Sequence, residues 1–158
     1  MIETLLPDLI HLRATLSSTA RMLYDRRMLD SAGGNLSLRT APEADTVLMT
    51  ARFQGAKLRW QIGPDDLLLV RISEAQVLEG EGELSRETLM HLAVYKAFPE
   101  AGAVIHAHPV HLMPFVSAGL ELPPMSEQTD KFGPLRFAQP ARQHSQELAD
   151  AVVEALAE

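Results

Sequence analysis

The spacing of apolar residues along the chain predicts three main helices. The first carries apolar residues three or four positions apart, at Leu9, Leu12, Leu16, Ala20 and Leu23. The second is expected over residues 86–98, directly after the N-cap residue Ser85. The third is expected over residues 145–158, where apolar side chains again share one face. A shorter helical piece is expected after Pro109, ending near Gly119.

Alternating or uniformly apolar stretches between these helices predict strands. Four strands are predicted. One starts at Leu36, and the other three cover residues 46–51, 67–72 and 103–108. The predicted connections are an irregular or hairpin-like segment over 52–66, an acidic segment over 73–84 and a Pro-rich loop or lid over 120–141. The order of helix, strands, helix, strand and helix predicts an α/β domain with a mixed or antiparallel sheet.

The composition is that of one globular domain. Of the 158 residues, 46% are hydrophobic and 22% are charged, a balance typical of folded chains. The formal charge of -7 argues against nucleic-acid binding, because phosphate contacts need clustered Lys and Arg. The absence of cysteine excludes disulfides, thiolate metal sites and cysteine nucleophiles. Because neither a basic leader nor a membrane-length apolar run is present, we expect a soluble, cytoplasmic protein without a membrane partner.

Histidines are concentrated at the end of the last predicted strand. Three of the six histidines lie within residues 106–111. Side chains two apart on a strand point to the same face, so His106 and His108 are expected to converge on a divalent metal. Pro109 then fixes the chain beyond them. The alternative interpretation is that these histidines are surface or satisfied polar groups, because a His-x-His pair alone is only moderately specific.

Two further stretches carry candidate chemistry. Glu87 is expected in the first turn of the second helix, where free N–H groups favour an anion, on the same face as His91. Taken alone, Glu87 is better explained as an ordinary helix-start carboxylate. Gly33, Gly34 and Asn35 can present backbone N–H groups and a side-chain amide to a phosphate, or form a plain turn.

Together the segments GGNLSLR, SRETLMH and HAHPVH, with GPDDLLLV before the second, resemble the class II aldolase/adducin-head family. The similarity runs from about residue 8 to the chain end. It implies a three-layer α/β/α domain with a mostly antiparallel central sheet, commonly assembled as a homotetramer with the active site at a subunit interface. It also implies one divalent metal, usually Zn²⁺, and small phosphorylated sugars as substrates.

The resemblance also assigns roles to residues. His106 and His108 correspond to metal ligands and Glu87 to the acid/base carboxylate. The substrate phosphate would be held by Gly33, Gly34, Asn35 and Ser85. In such a site the metal stabilises an enediolate, the carboxylate shuttles a proton, and the helix N-terminus complements the phosphate charge.

The chain departs from the family pattern in three places. The family takes a third histidine ligand from a strand after the last helix. The predicted domain over 1–158 stops before that strand, so either the sequence is incomplete or the protein lacks this ligand. His144 lies before the helix and is a poor substitute. The family's Ser-Gly pair after the second strand is replaced by TARFQG. Arg86 stands in place of a serine, either to bind an anion or as a solvated residue.

These features lead to one main hypothesis and two alternatives. The main hypothesis is a metal-dependent aldolase-type lyase of carbohydrate metabolism, cleaving a small sugar phosphate or related hydroxy-carbonyl compound. The first alternative keeps the metal but makes the protein an epimerase or a sugar-phosphate dehydratase of the same family. The second is a non-catalytic binding or assembly module like the adducin head. The expected partners are a sugar-phosphate-like substrate and further copies of the chain.

Overall fold

The computed structural model of the chain describes residues 5–120, 122–131 and 136–157. Its centre is a five-stranded sheet built from β1 (Asn35–Arg39), β2 (Thr46–Thr50), β3 (Leu67–Arg71), β4 (Gln76–Glu79) and β5 (Ala103–His106). The strand order is β4-β3-β2-β1-β5, and each neighbouring pair is antiparallel. The first four strands therefore form a meander, and β5 returns along β1 to close the other edge.

The helices of the described residues flank this sheet. They are α1 (Leu5–Asp25), α2 (Gln54–Leu58), α3 (Thr88–Ala97), α4 (Met113–Ala118), α5 (Glu127–Asp130) and α6 (Gln146–Ala157). No helix among them is long and apolar enough to cross a membrane. The second predicted helix begins two residues later than expected, at Thr88, with Glu87 at the cap position.

Two hydrophobic cores, one on each face of the sheet, hold the layers together. On one face Leu48 of β2 packs with Leu16 and other residues of α1. On the opposite face Val47 and Met49 pack with Leu92 of α3. Alternate residues of one strand thus serve different cores, as the pleat requires. α6 packs along α3 as part of the same outer layer. This arrangement confirms the predicted three-layer α/β/α fold and its antiparallel sheet.

Two predictions about connections are wrong. The acidic segment 73–84 contains the edge strand β4, whose residues are mostly exposed and therefore lack an alternating apolar pattern. The segment 52–66 contains the short helix α2 and a 3₁₀ turn at Pro64–Asp66. The predicted loop over 120–141 contains α5, and five of its positions lie outside the described residues.

The last predicted strand is shorter and less buried than expected. β5 ends at His106, and Ile105 is half-exposed. β5 is an edge strand with β1 as its partner, so one side of it has no neighbour within the described sheet. His108 consequently lies in the loop that follows β5, not on the strand.

Candidate active site

His106 faces the start of β1 across the sheet. The antiparallel register pairs it with Asn35, and Nδ1 of His106 lies 3.3 Å from the amide nitrogen Nδ2 of Asn35. The amide oxygen Oδ1 of Asn35 is buried and has no hydrogen-bond partner within the described part of the chain. Turning the amide over would set Oδ1 against an Nδ1–H group and satisfy both atoms. Asn35, predicted to bind phosphate, therefore contacts a histidine in this structure.

His108 approaches His106 from the loop after β5. Its backbone N–H donates to the carbonyl of Met28 at 2.8 Å, which ties this loop to the start of the α1–β1 connection. The two imidazole rings meet edge to face, with their centroids 4.9 Å apart. The two rings thus lie together, although strand alternation is not the cause, and their convergence on a metal stays a prediction.

Asp30 links His108 to the glycine turn before β1. Its Oδ2 lies 3.0 Å from Nδ1 of His108, and its Oδ1 accepts hydrogen bonds from the N–H groups of Ala32 and Gly33, both at 2.6 Å. Partial burial raises the pKa of Asp30, but these hydrogen bonds and His108 outweigh it and hold the pKa below its usual value. Sequence reasoning missed Asp30, although an Asp three residues before a Gly is a recognisable Asx-turn pattern.

Both glycines of this turn are required by their surroundings. A Cβ on Gly33 would lie 2.0 Å from Cε1 of His108, and one on Gly34 would lie 2.5 Å from Cδ2 of Leu29. Gly34 also has a φ of +99°, which side-chain-bearing residues rarely adopt. Because the Gly33 N–H is bound to Asp30, an internal carboxylate occupies part of the position that the sequence assigned to a phosphate.

Glu87 lies at the start of α3, mostly buried. Its backbone N–H donates to Oγ of Ser85 at 3.2 Å, but the N-cap residue of α3 is Glu87 itself and no side chain among the described residues caps the helix. The prediction that Ser85 is the N-cap is therefore wrong. The Oε1 atom of Glu87 lies 2.8 Å from Nδ1 of His144, whose side chain is 30% exposed against 14% for Glu87. His144, predicted to be a poor metal ligand, is therefore the direct neighbour of the candidate acid/base.

The two histidines and the carboxylates form one electrostatic cluster around His106. Burial lowers the pKa of His106, and the carboxylate of Glu87 acts in the opposite direction. His108 and His144 lower this pKa further, whereas Asp30 raises it. Residues from three loops and from the entry of α3 thus act on the imidazole of His106, and the lowered pKa favours the unprotonated ring that a metal ligand requires.

His91, predicted to share a helix face with Glu87, belongs to the protein core. Its side chain is fully buried, and Nδ1 lies 2.7 Å from Oγ of Ser37, which also lies 2.9 Å from the hydroxyl of Tyr95. Burial lowers the pKa of His91 to about 3. Its Nε2 has no hydrogen-bond partner in the described ranges. His91 is a neutral structural residue rather than a partner of the Glu87 carboxylate.

The donor set around His106 and His108 fits two positions of a divalent metal site. In each ring Nδ1 has a neighbouring polar partner, which leaves Nε2 as the ligand atom, as is usual for metal-bound histidine. Residues 5–120, 122–131 and 136–157 contain no group of three His, Cys, Asp or Glu side chains arranged to hold a metal ion.

The fold and this cluster agree with a comparison against known families. Residues 14–158 match the family described as Class II Aldolase and Adducin N-terminal domain. The match covers most of the chain, and the chain belongs to this family.

Individual relatives add detail. The chain is 31% identical over 90 residues to a methylthioribulose-1-phosphate dehydratase of Marinobacter nauticus, covering 57% of this chain and 40% of the relative. A protein of the same name from Bacillus cytotoxicus is 35% identical over 94 residues, with coverages of 60% and 42%. These matches span about two fifths of each relative's length. A solved L-fuculose 1-phosphate aldolase has a TM-score of 0.78 at 25% identity, covering 92% of this chain and 66% of that one.

Proposed function

We propose that this protein is a divalent-metal-dependent lyase that removes water from a small ketose 1-phosphate. The observation that carries the proposal is that His108 and the carboxylate of Glu87 both interact with the imidazole of His106. The relatives named as methylthioribulose-1-phosphate dehydratases support dehydration over aldol cleavage, the main hypothesis from the sequence. The names of these relatives also make methylthioribulose 1-phosphate the first substrate to test.

His106 and His108 would hold the metal through Nε2, with zinc as the expected ion. A divalent metal at this position supplies a Lewis acid that polarises the substrate carbonyl. Asp30 and Asn35 orient the two rings by contacting their Nδ1 atoms. None of the described residues is assigned to the third protein ligand.

Glu87 performs the proton transfer in this proposal. Its carboxylate removes a proton from the carbon next to the substrate carbonyl, and the C–O bond to the hydroxyl on the following carbon breaks. The same proton is returned to the departing hydroxyl, which leaves as water. A carboxylate that is mostly buried and that interacts electrostatically with His106 suits this step, because a base must lie within reach of the proton it takes.

The phosphate is proposed to bind at the junction of the glycine turn and the start of α3. Ser85 can donate its hydroxyl proton there, and Gly34 can contribute its backbone N–H. Gly33 and Asn35 remain proposed participants, although each contacts Asp30 or His106 in this structure. The exposed Arg86 adds a positive charge next to Ser85.

Aldol cleavage is the second candidate. The similarity to an L-fuculose 1-phosphate aldolase at a TM-score of 0.78 supports it. The same carboxylate would then take a proton from a substrate hydroxyl, and a C–C bond would break in place of the C–O bond. One fragment would leave as an aldehyde, and the carboxylate would return the proton to the enediolate carbon of the other fragment. Product analysis separates the two reactions directly.

We also propose that the chain forms a cytoplasmic homo-oligomer in which residues 1–158 are a single domain. One sheet with a core on each face supports the single domain. An exposed apolar segment supports assembly, and its members include Val110, Leu112, Met113, Phe115 and Val116. Sedimentation velocity measures the oligomeric state. A monomer at all accessible concentrations would contradict the assembly proposal.

The test of function uses the purified chain after loading with zinc. It is incubated separately with methylthioribulose 1-phosphate and with L-fuculose 1-phosphate, and the products are analysed by mass spectrometry. Dehydration yields one product lighter by one water, whereas aldol cleavage yields two carbonyl fragments. Glu87→Gln should abolish either reaction, and Glu83→Gln, at an exposed carboxylate that pairs with Arg52, should not. A chain that binds no metal and turns over neither substrate would favour the binding module.

A further inference from the structure

His144 contacts Glu87 from a different element of the fold. The imidazole Nδ1 lies 2.8 Å from Oε1 of the carboxylate. This nitrogen is buried and has no aligned hydrogen-bond partner within the described residues, so the contact is a short polar approach rather than a linear hydrogen bond. A buried ring nitrogen needs a polar partner, and Oε1 is the polar atom within reach.

The packing of α6 determines where His144 lies. Ser145 caps α6, since its Oγ accepts a hydrogen bond from the N–H of Leu148 at 3.2 Å. α6 packs along α3, whose first residue follows Glu87. The N-terminus of α6 therefore lies near the N-terminus of α3, and His144 lies between them.

The backbone of His144 is strained. Its φ is 61°, in the left-handed region that favours glycine, with asparagine, aspartate and histidine the commonest other residues. A residue with a side chain has a modest backbone cost in this conformation, and the contact with Glu87 is an interaction that can offset it.

We propose that His144 is a positioning residue that holds Oε1 of Glu87 and leaves Oε2 directed to the substrate proton. This inference rests on the proposed function, in which Glu87 is the acid/base. His144 touches neither substrate nor metal in this scheme. It fixes the rotamer of the carboxylate and thereby the distance over which the proton moves.

Two substitutions separate positioning from a structural role. His144→Gly relieves the backbone and removes the imidazole, whereas His144→Asn accepts the same φ and carries a side-chain N–H close to the position of Nδ1. We expect kcat of the glycine variant to fall about 10–100-fold, because a misplaced base loses alignment, with KM changed by less than about twofold. The asparagine variant should recover most of the lost kcat. Metal content and melting temperature should stay at the wild-type values in both.

Two outcomes would overturn the proposal. One is a glycine variant with wild-type kcat, which is the result expected if His144 were only a strained turn residue. The other is an asparagine variant no more active than the glycine variant.

A measurement without turnover distinguishes this inference from the proposed function. The imidazole ¹⁵N shifts of His144 should change in Glu87→Gln and stay constant in Glu83→Gln. Wild-type protein inactive on both sugar phosphates would overturn the proposed function alone if the shift change is present. A His144 signal unchanged by Glu87→Gln would overturn the contact itself.

Discussion

His91 and the pair His106 and His108 are anchored similarly but face different surroundings. Each has a polar neighbour at Nδ1, which is Ser37 for His91, Asn35 for His106 and Asp30 for His108. His91 is fully buried, and its Nε2 is enclosed by the core. The other two are half-buried at the end of β5.

This comparison indicates that the environment of Nε2, rather than the partner of Nδ1, distinguishes a structural histidine from a candidate metal ligand. A neutral, enclosed imidazole contributes packing and one hydrogen bond to the core. An imidazole at a strand end keeps its second nitrogen available for a metal. Substitutions should therefore affect stability at His91 and chemistry at the pair.

The strongest test of this comparison is His106→Ala. We expect kcat/KM to fall about 10³-fold or more, because the lost Lewis acid is worth several kcal/mol in the transition state. Bound zinc, measured by elemental analysis, should fall with it. The melting temperature should change little, since the side chain lies on an edge strand. His111→Ala, at an exposed histidine beyond Pro109, is the control and should retain metal and turnover. Wild-type metal content in His106→Ala would contradict the assignment.

Gly33→Ala tests the same site through its packing. The added Cβ would lie 2.0 Å from Cε1 of His108 and must displace the ring. We expect kcat/KM to fall about 10²-fold, since small misplacements at a reacting centre have large effects. Gly102→Ala is the matched control, because nothing lies within 4 Å of its Cβ position. Equal activity of the two variants would show that the ring of His108 is free to move.

The sequence predicted the fold well because its layers depend on local periodicity. The uniformly apolar run Val47, Leu48 and Met49 in β2 is typical of a strand buried on both faces, and alternate side chains of this strand do pack into opposite cores. The edge strand β4 was missed because both of its faces are largely exposed, so that no apolar alternation exists to detect.

The site was less predictable because its contacts join distant segments. Asp30 and His108 are 78 residues apart, and their contact depends on how the loop after β5 crosses the end of α1. The contact between His144 and Glu87 arises from the packing of α6 on α3. Neither contact has a local pattern, whereas the motifs around Glu87 and His106 do.

Asp30→Asn changes the polar partner of Nδ1 in His108 and leaves that of His106 in place. The amide oxygen can still accept from the glycine turn, but the neutral side chain no longer orients an Nδ1–H group. We expect zinc affinity to fall about 10–100-fold, as for other residues that orient a metal-bound histidine. Competition with a chromophoric chelator measures it. Asp25→Asn, at an exposed carboxylate that pairs with Arg21, should leave the affinity unchanged. Unaltered affinity in Asp30→Asn would mean that His108 needs no anchor.

The smallest expected effect concerns the pH dependence of stability through His91. Burial lowers its pKa in the folded protein to about 3, whereas an unfolded histidine has a pKa of about 6.5. Between these values the unfolded chain binds the additional proton, so the free energy of unfolding decreases as the pH falls. The contribution is complete above about pH 6.5 and is lost below it, with a slope of at most about 1.4 kcal/mol per pH unit.

Urea unfolding of wild type and His91→Gln between pH 7 and pH 4.5 isolates this contribution. The glutamine variant is expected to be less stable at neutral pH, since it disturbs the hydrogen bonds of Ser37 and Tyr95. Its stability should nevertheless fall less steeply with acid than that of wild type, because the titrating group is gone. The control His111→Gln removes an exposed histidine and should keep the wild-type slope. Parallel slopes for wild type and His91→Gln would mean that His91 is protonated in the folded core, and the contrast with His106 and His108 would then fail.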